Sequence, residues 1–329
     1  MSLMPRLKRF GIDPYLMLLF ATVLAAALLP AHDSVAEVLD GVSYWAVALL
    51  FFLYGAKLST ASIIAGVTNW RLQLGVLATT FLVFPLLGIG MAALTAPLLG
   101  AAFAAGLIYV GCLPSTIQSA VAFTALARGN VAGAVCAASI SNLIGVVLAP
   151  LLVSFLMTTE GPVSINPDAV WKIAQQILLP FFIGQLARPL LIGLLDRYKS
   201  SVTLYDRGVI LLIVYVAFSA GVSGGTFASA GPWVLAALAG VMALLLALAF
   251  GATILLGRGA GLDRADRATL LFCGSTKSLA TGLPMAGILF VGQDVAAILL
   301  PLMLYHLIQL VTCALIAQRM AAAPEGAAA

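Results

Sequence analysis

The chain has 329 residues, 63% hydrophobic and 9% charged, with 16 Lys and Arg against 12 Asp and Glu and a formal charge of +4. A mean hydropathy of +1.14 excludes an ordinary soluble domain, and apolar runs without period-two alternation exclude a membrane β-barrel. Basic residues stand singly at the ends of the runs, so topology explains them rather than nucleic acid. What remains is an all-α multi-pass membrane protein, whose runs of about 20 residues each suffice for a helical span.

In chain order, Arg6, Lys8 and Arg9 precede an apolar run from Tyr15 to Leu29. This looks like a signal peptide, but a retained first span is preferred, because the chain that follows is itself polytopic and needs no separate export signal. Apolar runs then predict ten spans, at 14–30, 41–57, 71–96, 101–127, 131–157, 169–194, 206–222, 232–257, 267–291 and 295–318, followed by an Ala-rich tail. Span 4 is interrupted at Gly111–Ser119 (GCLPSTIQS). Span 9 is interrupted at Leu271–Pro284 (LFCGSTKSLATGLP), 160 positions later from Ser115 to Ser275.

Charge tests the count. With the N-terminus inside, 14 of the 16 basic residues, from Arg6 to Arg319, fall on the inner side, only Lys172 falls outside, and Lys277 is left in the membrane. Acidic residues such as Asp33, Glu37, Asp40, Glu160, Asp168 and Asp294 mark the outer loops. This positive-inside bias places both termini in the cytoplasm.

Ten spans centred near residue 160 suggest two five-span repeats, 1–160 and 161–329, and an odd repeat length inverts the second copy. The two interrupted segments resemble each other. Asn130-Val131-Ala132 opens span 5 as Asp294-Val295-Ala296 opens span 10, which sets Asn142 opposite His306 and Ser141 opposite Tyr305.

Broken helices expose main-chain groups that lipid cannot satisfy, so they face protein, water or a ligand. Their N-termini attract anions and their carbonyl ends attract cations. Span 4 offers Ser115, Thr116, Gln118 and Ser119, and span 9 offers Ser275, Thr276, Lys277, Ser278 and Thr281. A single Ser or Thr would ordinarily be a helix back-bond or interhelical contact; two dense clusters beside helix breakers weaken that reading. Lys277 must be paired, neutral or functional, since a bare ammonium in hydrocarbon is costly. Asn142 and His306 lie mid-span and are either interhelical glue or site residues, with Ser139, Ser141 and Gln309 on the same polar seam. With Lys277, His306 suits proton handling, because desolvation favours a neutral lysine. Cys112, Cys136, Cys273 and Cys313 lack metal-ligand spacing and read as packing residues.

Five stretches carry a resemblance: Leu50–Leu58 (LFFLYGAKL), Gly75–Pro85 (GVLATTFLVFP), Gln118–Asn130 (QSAVAFTALARGN), Phe272–Pro284 (FCGSTKSLATGLP) and Pro301–His306 (PLMLYH). Across essentially all ten spans the chain resembles the bile acid:sodium symporter family, in its sodium-bile-acid-symporter-like branch. The resemblance implies two inverted repeats sorted into a panel domain (spans 1, 2, 6 and 7) and a core domain (spans 3, 4, 5, 8, 9 and 10). Discontinuous helices 4 and 9 would cross in the core, and an amphipathic organic anion would bind between core and panel. It also implies sodium coupling by alternating access.

The sodium ligands depart from that pattern. The acidic residue of span 9 falls on Cys273, a following glutamine on Lys277, a span 3 glutamine on Thr80, a Ser-Asn pair on Ser119-Ala120, and span 5 ligands on or near Ala134 and Ala138. An ammonium among those oxygens would repel sodium and could stand in for it. Three couplings stay open: sodium near Ser119 and Thr80, protons through Lys277 and His306, or none. Beyond a coupling ion, Na+ or H+, no cofactor is expected.

Two other functions compete. A Ser/Lys hydrolase would use Ser275 or Ser278 with Lys277, but neither Gly-x-Ser-x-Gly nor Ser-x-x-Lys occurs around them. A passive channel would need a continuous polar line, whereas these polar residues gather at mid-depth. The expected partners are a small organic anion and the bilayer, with no nucleic acid. The expected location is the bacterial inner membrane.

Overall fold

With no water in the hydrocarbon to satisfy peptide groups, long apolar sequence must close its hydrogen bonds locally, as helix. The computed structural model describes residues 14–57, 69–157, 174–225, 231–290 and 293–322, and among these every regular element is helical. In order they are α1 (Pro14–Leu28), α2 (Asp33–Lys57), α3 (Trp70–Leu99), α4 (Ala101–Cys112), α5 (Ile117–Leu126) and α6 (Val131–Met157). There follow α7 (Leu179–Arg197, led in by a π turn), α8 (Lys199–Ser223), α9 (Pro232–Gly259), α10 (Arg264–Ser275), α11 (Leu279–Leu289) and α12 (Val295–Ala322).

Among the described residues seven helices are long and apolar enough to cross a membrane, or eight if α4 and α5, bent by 63°, form one span. The ten spans read from sequence exceed this in two places. α1 has 15 residues, about 22 Å at 1.5 Å per residue, short of a bilayer core. α10 starts on Arg264, Asp266 and Arg267 and stops at Ser275, so α10 and α11 are individually short. The charges Arg6, Lys8, Arg9, Glu160, Asp168 and Lys172, and the boundary at 160, lie outside the described residues.

Without a hydrophobic force between helices in lipid, close backbone approach supplies the packing. Gly55 on α2 and Gly184 on α7 make such a contact: a Cβ on Gly55 would collide with the Phe181 carbonyl oxygen, and one on Gly184 with that of Phe52. α1 and α2 also pack on α8. α3 to α6 and α9 to α12 form the remaining body, with α3 on α4, α4 on α12 and α9 on α10.

One end of that body is tied by Asp266. Its carboxylate accepts from the Asn69 amide at 2.6 Å and the Asn130 amide at 2.8 Å, joining the starts of α3, α6 and α10. Asp263 caps α10 through the Asp266 amide.

Candidate functional site

Pro114 has no N–H, and the residues around it cannot continue α4. Leu113 and Thr116 are extended, and α5 starts at Ile117. The second interruption behaves alike, with Thr276 and Ser278 extended between α10 and α11. The two breaks meet. The Ser278 amide donates to the Pro114 carbonyl at 2.9 Å, and the Ser115 and Thr276 hydroxyls lie 3.2 Å apart.

Behind the junction lies Lys277, fully buried. Its ammonium donates to the carbonyl oxygens of Thr80 (3.0 Å), Gly111 (3.0 Å) and Leu113 (2.7 Å). It also sits 4.0 Å from the centre of the Phe84 ring, a cation–π contact strengthened by desolvation. An ammonium has three donors, and all three are used. No carboxylate is among these partners.

The sequence explains why those carbonyls are available. Gly111 and Leu113 lie at the carbonyl end of α4, where a helix leaves its last C=O groups unmet and partially negative. A Cβ on Gly111 would lie 2.8 Å from the Phe84 carbonyl oxygen, so glycine lets this end approach α3. Thr80 is in a π turn, Thr79–Val83. There the Phe84 amide bonds to the Thr79 carbonyl instead of to Thr80. The next residue is Pro85, which has no N–H to offer. The Thr80 carbonyl is therefore left to the ammonium.

Further bonds hold the backbone of Lys277. Gln309 on α12 accepts from its amide at 2.8 Å and donates to its carbonyl at 3.0 Å. The Gln309 side-chain nitrogen Nε2 also stands 2.8 Å from His306 Nδ1. Tyr305 donates to the Ser275 carbonyl at 2.6 Å. The Ser275 and Thr276 hydroxyls bond back to Leu271 and Phe272 of their own helix, the ordinary use of such side chains.

On the other break, the Ser115 amide donates to the Ser141 hydroxyl at 3.1 Å, and Asn142 donates to the Ser115 carbonyl at 2.7 Å. Asn142 accepts from Thr281, which accepts from Ser278. The hydroxyls of Thr80 and Ser119 are buried and have no hydrogen-bond partner among the described residues. Cys273 is buried against the Ala134 carbonyl.

In front of the junction opens a cavity of about 480 Å³. Thr116, Gln118, Ser139, Asn142, Ser278 and Thr281 line one side. The N-terminus of α5 has no side-chain cap, whereas Ser278 caps α11 by accepting from the Thr281 amide. The opposite wall comes from α1, α2, α7 and α8 through Tyr15, Tyr54, Lys57, Phe181, Asp206 and Arg207.

Of the candidates read from sequence, Thr116, Gln118, Ser139, Asn142 and Ser278 line this space. Thr80, Ser115, Ser119, Ser275, Thr276, Lys277 and His306 do not. The residues named from sequence thus fall at the junction and on one wall of the cavity, and none falls on the other wall. Lys57 and Arg207 stand at span ends, where basic residues serve topology, and Tyr54 and Lys57 lie in the LFFLYGAKL stretch. Among the described residues no cluster of three or more His, Cys, Asp or Glu side chains could hold a metal ion.

Comparison with known proteins places the chain. Residues 13–322 match the SBF-like CPA transporter family. An uncharacterized protein of Pseudomonas aeruginosa is 46% identical over 98% of this chain and 96% of its own length. The Escherichia coli K12 protein named "Putative symporter YfeH" is 42% identical over 95% and 94%. The rat protein named sodium/bile acid cotransporter 7 is 27% identical over 80% and 78%.

Proposed function

The chain belongs to the SBF-like CPA transporter family, and we propose that it is a secondary active transporter moving an amphipathic organic anion across a bacterial inner membrane by alternating access. The family and its named relatives are transporters, multi-pass and with small-molecule substrates, so hydrolysis is set aside. In this reading the ten spans form inverted repeats, 1–160 and 161–329, with α1 the first span and α10–α11 the ninth. Spans 1, 2, 6 and 7 make the panel, the others make the core, and both termini are cytoplasmic.

The observation that carries the reading is the cavity of about 480 Å³, bounded by both broken helices on one side and by α1, α2, α7 and α8 on the other. Such a space is large enough for an amphipathic small molecule. The first-turn amides of α5 offer it an anion-binding end. Lys57 and Arg207, which the positive-inside reading puts on the cytoplasmic side, also line it, so it corresponds to an inward-facing state.

Coupling follows from Lys277. Its ammonium takes up three main-chain oxygens of the kind that bind alkali cations, so a tethered cation holds the place of a mobile one. The protein is then independent of sodium at this position. Because the ammonium is saturated with acceptors, we assign it a fixed role rather than proton exchange, and the driving ion is a proton bound elsewhere.

The test is uptake of taurocholate, as a sulfonated amphipathic probe, into proteoliposomes under separately imposed sodium and proton gradients. The expected result is saturable uptake driven by the proton gradient and indifferent to sodium. Uptake driven by sodium at constant pH, and lost in Thr80→Ala or Ser119→Ala, overturns the coupling. Flux that does not saturate overturns the carrier.

A further inference from the structure

Opposite the breaks, the cavity wall is charged. Asp206 and Arg207 are adjacent on α8, and Lys57 ends α2 one turn beyond Tyr54. The Tyr54 hydroxyl donates to Asp206 at 2.6 Å, and Lys57 and Arg207 line the same cavity as Asp206. The Arg207 guanidinium also stacks 4.9 Å over the Tyr15 ring. Asp206 is the one carboxylate among the cavity's described lining residues.

Other groups facing Asp206 can be named element by element. Tyr15 comes from α1, Tyr54 and Lys57 from α2, Phe181 from α7 and Arg207 from α8 itself. The breaks and α6 contribute only hydroxyls, amides and apolar groups, including Gln118, Ser139, Asn142 and Thr281. No side chain of α12 lines the space, although α12 packs on α8.

With Asp206 ionised, two cations share one resident anion, and a second anion must compete for them. Protonation of a carboxylate oxygen raises the wall from one net positive charge to two and removes the competitor. One entering monoanion then restores the original balance.

We propose that Lys57 and Arg207 form the recognition pole for a sulfonate or carboxylate head group, and that Asp206, held by Tyr54, is the proton site that switches it. This rests on the reading of the chain as an organic-anion carrier and names its coupling group. Proton and monoanion enter together because each relieves the cost of binding the other, and such linkage is reciprocal. The carboxylate lines the cavity, whereas Lys277 does not.

The experiment uses the full chain in lipid nanodiscs, with taurocholate and cholate as probes. Binding is followed by calorimetry across acid to neutral pH, and the protonated-carboxyl stretch by infrared difference spectroscopy. In wild type, affinity should fall about tenfold per pH unit above the titration of Asp206, with one proton taken up per anion. Asp206→Asn should bind with the acid-form affinity at every pH and lose the carboxyl band. Lys57→Gln and Arg207→Gln should each bind about tenfold or more weakly even in acid, with Lys57→Arg and Arg207→Lys restoring most of it. Proton uptake that persists in Asp206→Asn, or pH-independent binding in wild type, overturns the switch. Wild type that binds neither probe at any pH overturns the organic-anion reading; a titrating band lost in Asp206→Asn separates that failure from failure of the proton site.

Discussion

A lysine wholly removed from water is tolerable when every donor finds an acceptor and the local field is negative. Lys277 meets both conditions through three carbonyls and an aromatic face. Truncating it leaves three buried oxygens with nothing to accept from, and each lost charged hydrogen bond carries a penalty of about 1–3 kcal/mol. Lys277→Ala is therefore expected to cost about 3 kcal/mol or more in thermal unfolding. The vacated space should admit a small cation, so methylammonium chloride should restore part of the loss where choline chloride, too bulky, does not. A melting temperature equal to wild type, or no difference between the two salts, contradicts the tethered-cation account. Gln309 is the next test. Gln309→Leu removes both main-chain bonds to Lys277 while keeping bulk, and should lower stability by about 2 kcal/mol.

Two of the helix irregularities here are each tied to a residue that withholds a hydrogen. Pro114 ends α4, and Pro85 leaves the Thr80 carbonyl of the π turn unmet. Pro85→Ala supplies an amide that can close onto Thr80. The carbonyl should then turn back into α3, weakening the hold on Lys277. The cost of Pro85→Ala and Lys277→Ala together should fall short of the sum of the single costs by about 1 kcal/mol, the mark of a shared network; strict additivity refutes the link. Gly184→Leu probes a different contact. Its side chain must displace the Phe52 carbonyl, so α2 and α7 should separate at a cost of about 1–3 kcal/mol, read as a drop in melting temperature. The same elements show what sequence can reveal. Both breaks were legible because Gly, Pro, Ser and Thr interrupt apolar runs, and so was the polar lining from Thr116, Gln118, Ser139, Asn142 and Ser278. The ammonium's partners were not, because main-chain carbonyls leave no trace in side-chain pattern. Asp206, Lys57 and Arg207 were hidden differently: charges at span ends serve topology so often that a binding role has no separate signature. Among the described residues the seven or eight long helices fall short of ten predicted spans because α1 has only 15 residues and because α10 spends its first turns on polar ties at Asp266.

Across the whole molecule, the cavity separates two differently fastened bodies. The Asp266 carboxylate joins α3, α6 and α10, while the glycine contact joins α2 to α7. In the transport proposed above, motion between these bodies across the cavity is the step that alternating access needs. Ser139 on α6 lines the cavity, and a cysteine there would report which face is open. The four native cysteines are buried, so a membrane-impermeant methanethiosulfonate should spare them and modify Ser139→Cys. Modification should be fast from the face bearing Lys57 and Arg207 and slow from the opposite face. Taurocholate should slow it several-fold by occupying the space, more so in acid, where Asp206 no longer competes for the cations. Faster modification from the opposite face would reverse the assignment of the open side. Equal rates from both faces would mean that the cavity is a pore, and the two bodies would then have no gate to operate.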